Sequence, residues 1–394
     1  MHEPMEKELG KRIRSELGSL SRQSQLRVLG ISSGVDFCSN DYLGLASDRR
    51  LKLALLKAIA CTDRVGSTGS RLLSGNHRAW ENLEAEFSQF ACTQAALYFG
   101  SGYAANVGLL SSILRPGDTA FSDSLNHASL IDGIRLSSAY KYVYPHGDMD
   151  ALERGLRDRK TAAGAKVIVT ESVFSMEGDI APLDRLVRLA KDYGADIVVD
   201  EAHSTGVWGP EGRGIVVERG YEREVLAVVH TCGKALASAG AFVCSERTLK
   251  QCLVNRARTF IYSTALPPYF AAQVHEAMDL ARKADSERAQ IARVAEALRE
   301  SLIAARIDYG LSETQIVPIL LGSNEEAMRV AARLAETGFT AKAIRPPTVP
   351  FGKARIRLSL TSRTSLVDVR RLVGELVRAV RFRTEPPSAT RAHA

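Results

Sequence analysis

The 394-residue sequence has no long apolar run, and only 6% of its residues are aromatic, although 45% are hydrophobic and 25% are charged. No stretch is long and apolar enough to span a bilayer, and the charged N-terminal segment has no apolar signal core. We therefore expect no membrane segment, no secretion and a cytoplasmic location. The length and composition are typical of a globular protein with one large domain and a second, smaller one.

Two further absences exclude classes of site. The six cysteines form neither a C-x-x-C pair nor a Cys/His cluster with zinc spacing, so we predict free thiols and no metal site. The tetrapeptide Asp200-Glu201-Ala202-His203 is the signature of one class of nucleic-acid helicases, but no phosphate loop G-x-x-x-x-G-K-[ST] accompanies it. We expect no nucleic-acid partner. The net charge of +7 indicates a solvated basic face, or attraction for a phosphate-rich thioester or an acidic carrier protein.

The sequence does contain an alternation of short apolar runs with amphipathic helices. Strands are predicted at Ala95–Phe99, Thr119–Ser122, Lys166–Glu171, Ile197–Asp200, Val225–His230 and Gly240–Cys244, and helices at Ala79–Phe90, Ala104–Leu114 and Pro182–Tyr193. Strands rich in Val, Ile and Leu that alternate with helices indicate a mostly parallel sheet buried on both faces. The predicted fold class is therefore α/β.

The pattern changes at both ends of the chain. Residues 4–28 predict an amphipathic helix. After a long helix-rich stretch from Pro268 to Ala305, the C-terminal part predicts a strand at Gln315–Leu321, a helix at Glu325–Thr337, strands at Thr340–Ile344 and Arg355–Leu360, and a helix at Leu366–Val380. We predict an N-terminal helix and extended segment over 1–50, a large domain over 51–280, a small α+β domain over 281–385 and a disordered tail over 386–394.

Polar residues follow the predicted strands, at the edge of the sheet where ligands gather in open α/β folds. Gly100–Tyr103 leads from a strand into a helix, whose first backbone N–H groups suit an anion such as a phosphate. The segment superficially resembles a dinucleotide-binding turn, but the G-x-G-x-x-G spacing fails at Ala105. We interpret it as a phosphate site of another kind.

Lys234 and Asp200 are the most informative pair. A lysine among small residues is usually a solvated loop residue, and an aspartate that ends an apolar run usually caps a turn. At the ends of two strands of one sheet, however, a lysine amine can hold an aldehyde as a Schiff base, and an aspartate can keep a pyridine nitrogen protonated. The pair indicates a pyridoxal phosphate site. His127, His203 and Thr231 also follow strands and would contact the ring face, its phenolic oxygen and the phosphate.

Seven segments, in order, resemble those of the α-oxoamine synthases, a family of fold-type I, aspartate-aminotransferase-like pyridoxal phosphate enzymes: 39–44, 66–75, 126–129, 174–179, 200–206, 231–234 and 262–264. The resemblance implies an acyltransferase with pyridoxal 5'-phosphate as its cofactor. It also implies a homodimer with shared active sites. Two positions depart from the family: Ala237 stands where glycine is common, and Glu201 replaces a frequent aspartate.

The resemblance assigns roles to single residues. The catalytic set is Lys234, which forms the Schiff base and then removes a proton at Cα, with Asp200, His127 and His203. The cofactor-binding set is Gly102, Tyr103, His127, Ser175, Asp200, His203, Thr231 and Lys234, with Ser263 and Thr264 directed to the partner subunit's cofactor. The substrate-binding set is Arg27, Asn40, His127, Arg345, Thr348 and Arg357. Arg357 would hold the amino-acid carboxylate, because a guanidinium forms two parallel hydrogen bonds with a carboxylate.

Residues 343–350 resemble the corresponding segment of family members that condense L-alanine with a pimeloyl thioester in biotin biosynthesis, so these are the expected substrates. The acyl carrier is left open between coenzyme A and an acyl carrier protein. Other members of the family, which join glycine or serine to a different acyl-CoA, share the catalytic core and are the first alternative. A cofactor-free binding module on the same fold is the alternative from another class of protein.

Overall fold

A seven-stranded sheet organises the larger part of the chain. The computed structural model describes residues 7–381. Its strands are β1 Val35–Asp36, β2 Ala95–Phe99, β3 Thr119–Asp123, β4 Tyr140–Tyr144, β5 Lys166–Glu171, β6 Asp196–Asp200, β7 Ala227–Thr231, β8 Ala241–Ser245, β9 Ile316–Gly322, β10 Phe339–Thr340, β11 Ala343–Ile344 and β12 Ala354–Ser359. The sheet order is β2-β8-β7-β6-β5-β3-β4, and β8 runs antiparallel to the other six strands.

Helices surround this sheet and the C-terminal strands. They are α1 Glu8–Arg22, α2 Arg49–Cys61, α3 Arg78–Phe90, α4 Gly102–Ile113, α5 Ala128–Ser137, α6 Met149–Asp158, α7 Leu183–Tyr193, α8 Ile215–Glu218, α9 Arg247–Arg256, α10 Arg258–Ile261, α11 Tyr269–Arg282, α12 Asp285–Ala305, α13 Asn324–Glu336 and α14 Leu366–Arg381, with 3-10 turns at Leu45–Ser47 and Pro210–Gly212. Within residues 7–381, no helix is both long and apolar enough to cross a membrane.

The mostly parallel sheet is confirmed, and its two faces are both buried. Along β6, Ile197 and Val199 pack into one hydrophobic cluster, whereas Val198 packs into a second cluster on the opposite face. Successive side chains of a strand point to opposite faces, so only a run that is apolar at every position can be covered on both sides. This explains why the central strands could be predicted from the sequence.

The C-terminal strands form separate, smaller sheets. β9, β12 and β11 make a three-stranded antiparallel sheet, and β1 pairs in parallel with β10. A third hydrophobic cluster lies here, between these strands and helices α12, α13 and α14. The domain boundaries near residues 50, 280 and 385 stay predictions, and the predicted tail at 386–394 lies outside the described residues.

Three predicted elements are corrected. Residues 340–344 are not one strand, because the chain leaves the β1–β10 pair at Thr340 and joins β12 at Ala343. The N-terminal helix ends at Arg22 rather than near residue 28, and Ser24 beyond it has a φ of +54°. Strand β4 was missed, because this edge strand is largely exposed and lacks a continuous apolar run.

Candidate active site

Lys234 lies three residues beyond the end of β7, and its amine faces His203. The Lys234 Nζ atom is 2.8 Å from His203 Nε2, and His203 Nδ1 is 2.7 Å from the hydroxyl of Tyr42. Burial lowers the pKa of Lys234 to about 8, against the opposing charges of Asp200 and Glu171. Burial also holds the pKa of His203 well below its ordinary value, so this imidazole is neutral. The site therefore presents a lysine with an appreciable free-amine fraction near neutral pH.

The loop between β7 and β8 presents Lys234. Cys232 N–H donates to Gly240 O at 2.9 Å, and Ala237 N–H donates to Lys234 O at 2.8 Å. Ala237 has a φ of +43°, in the left-handed region that favours glycine, which gives a physical reason for the glycine that is common in the family at this position. These hydrogen bonds hold the loop backbone in place, and the lysine side chain extends from it toward His203, which follows the neighbouring strand β6.

Asp200, at the end of β6, is the buried carboxylate of the site. It is 5% exposed; its Oδ1 accepts from Ala202 N–H at 2.9 Å and its Oδ2 from Asn106 Nδ2 at 2.7 Å. Glu171 lies opposite Asp200 in the register of β5 and β6. Burial, and then the charge of Asp200, raise the pKa of Glu171 to about 8. Glu171 therefore keeps its proton near neutral pH and adds little negative charge.

His127 caps helix α5 and leaves its ring exposed. Its Nδ1 accepts from the N–H of Ser129 at 3.2 Å and lies 2.7 Å from the Ser129 hydroxyl. Tyr103 meets the imidazole edge to face, with 6.4 Å between the ring centroids, and donates its hydroxyl proton to Asp132. Desolvation lowers the pKa of His127, although the charge of Asp200 opposes it. A neutral, flat ring with an open face is suited to stacking on an aromatic ligand.

The N-terminus of α4 and Thr231 form a place for an anion. The Ser101 hydroxyl caps the helix by accepting from Ala104 N–H at 3.1 Å. A side-chain carbon at Gly102 would lie 3.4 Å from Thr231 Oγ1, so the first turn of the helix and this hydroxyl are adjacent. Free N–H groups, the positive end of the helix dipole and a hydroxyl are what a phosphate requires. The residues of this chain thus fit the phosphate of pyridoxal phosphate.

Arg357, on β12, is a buried guanidinium that has no carboxylate partner among the described residues. It is 7% exposed, and it donates to Asn40 Oδ1 at 3.0 Å, to Ser359 Oγ at 2.7 Å and to Ser175 O at 2.5 Å. By contrast Arg355, two positions earlier, pairs with Glu177 at 2.7 Å. A buried, unpaired cation is unfavourable unless an anion completes the site. Arg357 is therefore placed to bind an anionic ligand.

A cavity of about 580 Å³ adjoins these residues. His127, Ser175 and Thr348 line it, together with the apolar side chains of Leu125, Ile131, Met176 and Val349. The cavity combines three predicted site residues with a largely hydrophobic wall, which suits the hydrocarbon part of a ligand.

Two arginines meet beside Thr348. Arg27 donates to Thr348 Oγ1 at 3.3 Å, and Arg345 donates to Ser24 O at 2.5 Å. Burial, and then the positive charge of Arg27, lower the pKa of Arg345. Neither arginine has an ion-pair partner within residues 7–381. The structure thus brings these predicted substrate residues together, next to the cavity.

Ser263 and Thr264 are not joined to these residues. Both are exposed after α10, and no hydrogen bond connects them to the rest of the site in the described chain. Sequence reasoning missed Tyr42, which lies within a family-like segment, and Asn106, the one side-chain amide in helix α4. Within residues 7–381, no group of three or more His, Cys, Asp or Glu side chains is arranged to hold a metal ion.

The sheet and the residues at its strand ends define a pyridoxal phosphate enzyme of fold type I. The sequence pattern of the family described as Aminotransferase class I and II matches residues 32–376, and the chain belongs to this family. Within it, the chain is 43% identical over 380 residues to the 8-amino-7-oxononanoate synthase of Herminiimonas arsenicoxydans, covering 92% of this chain and 97% of that protein. It is 45% identical to that of Geobacter sulfurreducens, over 86% of this chain and 87% of that protein.

Solved structures show the same fold. A serine palmitoyltransferase from S. paucimobilis with bound PLP superimposes with a TM-score of 0.88 at 28% identity, covering 96% of this chain and 99% of that one. The 8-amino-7-oxononanoate synthase of Francisella tularensis superimposes with a TM-score of 0.78 at 29% identity, covering 90% of this chain and 99% of that one. The predicted α-oxoamine synthase resemblance and the fold class are confirmed.

Proposed function

We propose that the chain is an 8-amino-7-oxononanoate synthase, which joins L-alanine to the acyl group of a pimeloyl thioester, releases carbon dioxide and so serves biotin biosynthesis. The observation that carries the proposal is the buried, unpaired guanidinium of Arg357 close to the Lys234 amine. Tyr42 and His203 link these two groups. The Tyr42 hydroxyl contacts Arg357 Nη2 at 3.4 Å and His203 Nδ1 at 2.7 Å, and His203 Nε2 contacts the Lys234 amine at 2.8 Å. The sequence identity of 43–45% to proteins with this name supports L-alanine and a pimeloyl thioester as the substrates.

Residues of the chain would hold the cofactor from three sides. The first turn of α4 and Thr231 would take the phosphate, Asp200 would pair with the ring nitrogen, and His127 would stack on the ring. Pyridoxal phosphate supplies an electron-withdrawing ring that makes the Cα proton of a bound amino acid acidic. Asp200 favours that effect, because a buried carboxylate stabilises a proton on the pyridine nitrogen.

Lys234 would move the proton at Cα. A pKa of about 8 lies close to the operating pH, so the amine can accept the proton and return it. Neutral His203 accepts a hydrogen bond from the amine at Nε2, which leaves the Nδ1 proton for the oxygen of Tyr42. This contact would keep the lysine amine inside the site, where it would reach the cofactor.

Arg357 would hold the carboxylate of L-alanine and so place Cα beside Lys234. Asn40, Ser359 and Ser175 fix the guanidinium, so it needs little reorganisation when the substrate arrives. The bound carboxylate leaves as carbon dioxide after the thioester carbonyl has formed the new carbon–carbon bond and the thiol has departed.

The cavity next to His127 would take the acyl donor. Its apolar wall suits the methylene groups of a pimeloyl chain, and Arg27 and Arg345 beside Thr348 offer positive charge to its distal carboxylate or to the phosphates of the carrier. Coenzyme A and an acyl carrier protein both remain candidate carriers. Ser263 and Thr264 are exposed, as expected if they serve the cofactor of the partner in a homodimer.

The alternative is that the chain is a different α-oxoamine synthase, which joins glycine or serine to another acyl thioester. The TM-score of 0.88 to a serine palmitoyltransferase favours this alternative. The test is thiol release from pimeloyl, acetyl, succinyl and palmitoyl thioesters with L-alanine, glycine or L-serine. We expect the highest kcat/KM for L-alanine with a pimeloyl thioester. A preference for serine with the palmitoyl thioester would overturn the assignment.

Lys234→Ala tests the chemistry apart from the substrates. We expect loss of turnover and of the visible absorbance that bound pyridoxal phosphate owes to its bond with the lysine. Lys191→Ala is the control, because Lys191 forms only an exposed ion pair with Glu224. Wild-type turnover by the Lys234 variant would contradict the proposed site.

A further inference from the structure

A buried chain of polar groups connects Asp200 to His127. Asn106, 1% exposed on helix α4, donates from its Nδ2 to Asp200 Oδ2 at 2.7 Å and to Ser129 Oγ at 2.9 Å. Ser129 is fully buried, and its hydroxyl lies 2.7 Å from His127 Nδ1. We call these residues, Asp200, Asn106, Ser129 and His127, the Asn106 relay. It joins two groups that the proposed function places on one ring.

The directions of the hydrogen bonds in the relay are fixed. A carboxylate can only accept, so the amide nitrogen of Asn106, not its oxygen, faces Asp200. The same nitrogen donates to Ser129, whose hydroxyl proton is then free for His127 Nδ1. Nδ1 also accepts from the backbone N–H of Ser129 at 3.2 Å. The proton of the neutral imidazole consequently lies on Nε2.

Close packing of two helices makes the relay. Gly133 lies one turn beyond Ser129 on α5, and a side-chain carbon there would lie 3.0 Å from the backbone oxygen of Asn106 and 3.2 Å from Val107 Cα. Only a residue without a side chain lets α4 and α5 approach this far. The close crossing brings the Ser129 hydroxyl within reach of the Asn106 amide.

Only the nitrogen of the Asn106 side-chain amide forms hydrogen bonds. Its Oδ1 is buried and has no hydrogen-bond partner. A buried, unsatisfied carbonyl is unfavourable, and an apolar side chain at this buried position of α4 would avoid it. The position is explained if both N–H groups serve the site.

We propose that Asn106 is a positioning residue for the pyridoxal phosphate ring. It holds the carboxylate that faces the ring nitrogen and, through Ser129, sets the tautomer and orientation of the imidazole that lies on the ring. One amide thereby couples two contacts of the same ring. The inference rests on the proposed cofactor roles of Asp200 and His127, and it is independent of which amino acid or acyl donor is used.

The test uses the full-length apoprotein reconstituted with pyridoxal phosphate, and it needs no substrate. Asn106→Leu removes both donors, and Ser129→Ala removes only the branch to His127. Ser112→Ala is the control, because this buried hydroxyl of α4 bonds only to the backbone oxygen of Gly108. The readouts are the dissociation constant of pyridoxal phosphate and the visible circular dichroism of the bound cofactor.

We expect Asn106→Leu to weaken pyridoxal phosphate binding about tenfold or more, as for loss of a hydrogen bond to a charged group, and to change the dichroism. Ser129→Ala should change the dichroism and leave the dissociation constant within about threefold. Ser112→Ala should match the wild type in both. If Asn106→Leu fails to fold, Asn106→Ala is smaller and has no side-chain donor, and the same weakening is expected.

Each outcome decides the inference. Asn106 variants that match Ser112→Ala in both readouts would overturn the relay, and an unchanged dichroism in Ser129→Ala would overturn its His127 branch. A wild-type protein that takes up no pyridoxal phosphate would instead refute the proposed cofactor site, so the two failures are distinguishable.

Discussion

Replacing Arg357 with lysine tests whether the unpaired guanidinium is the carboxylate site for the amino acid. Lysine keeps the positive charge, but it lacks the planar fork that can bind both oxygens of a carboxylate. It also cannot reproduce the set of contacts that orients Arg357, namely those with Asn40, Ser359, Ser175 and Tyr42. The substitution therefore separates geometry from charge.

The expected size of the effect follows from the bonds lost. A hydrogen bond to a charged group contributes about 1.5–3 kcal/mol, and lysine can supply at most one of the two bonds that the fork provides. The corresponding loss in kcat/KM for L-alanine is about 10- to 150-fold. Most of it should appear as a higher KM for L-alanine, because the carboxylate is bound before the chemical step.

The assay measures initial rates of thiol release while the amino acid and the thioester are varied separately. Arg355→Lys is the matched control, because this buried arginine of the same strand pairs with Glu177 at 2.7 Å within the chain. We expect the control to lower stability and leave the KM for L-alanine unchanged. The reasoning fails if Arg357→Lys keeps that KM within about twofold of the wild type, or if it raises the KM of the thioester by the same factor.

Three further predictions concern the amine, a buried acid and a strained loop. The rate at which the apoprotein takes up pyridoxal phosphate should rise with pH with a midpoint near 8, the lowered pKa of Lys234, and a midpoint near the ordinary value of 10.5 would contradict the assigned environment. Burial raises the pKa of Glu201 from 4.5 to about 7, so between these values the folded state binds a proton that the unfolded chain releases, and the contribution of Glu201 to stability falls as pH rises through that interval. Glu201→Gln should remove this loss. The free energy of unfolding in urea, measured at pH 5 and pH 8, should therefore be higher in the variant relative to the wild type at pH 8 than at pH 5. An equal difference between the two proteins at both pH values would refute the role of Glu201. Ala237→Gly should raise the free energy of unfolding by up to about 1 kcal/mol, because it relieves the φ of +43°, and a lower unfolding midpoint in urea would count against the strain.

Much of the large sheet could be predicted because its central strands contain consecutive buried apolar residues, such as 167–169 in β5 and 197–199 in β6. β2 and β5 have the predicted bounds, and β6 differs by one residue. The exposed edge strand β4 gave no such signal. The division of residues 340–344 between two sheets could not be predicted from the sequence either. It depends on the pairing of β10 with β1 and of β11 with β12, which are distant in sequence or belong to different sheets.

The strand-end part of the site could be predicted for a geometric reason, and the remainder could not. Parallel strands bring their carboxyl ends to one edge, so Asp200, His203 and Lys234 had to lie near one another. Asn106 depends instead on the crossing of α4 with α5, which a glycine on α5 permits. The absence of an ion-pair partner for Arg357 among the described residues could not be predicted either. It depends on which side chains surround the guanidinium in space, since Arg355, two positions earlier on the same strand, does have a carboxylate partner.

The charges of the site agree with the ligands that the proposed function requires. The Lys234 amine interacts with the negative charge of Asp200 and the positive charge of Arg357, while the second carboxyl group, Glu171, keeps its proton near neutral pH and His203 stays neutral. The buried part of the site therefore has more positive than negative charge. A buried excess of this sign is unfavourable in the empty protein and favourable once a phosphate and a carboxylate are bound, because each supplies the missing counter-charge. A charged carboxylate at position 171 would supply part of that counter-charge, so we expect the protonated state of Glu171 to favour the binding of anionic ligands.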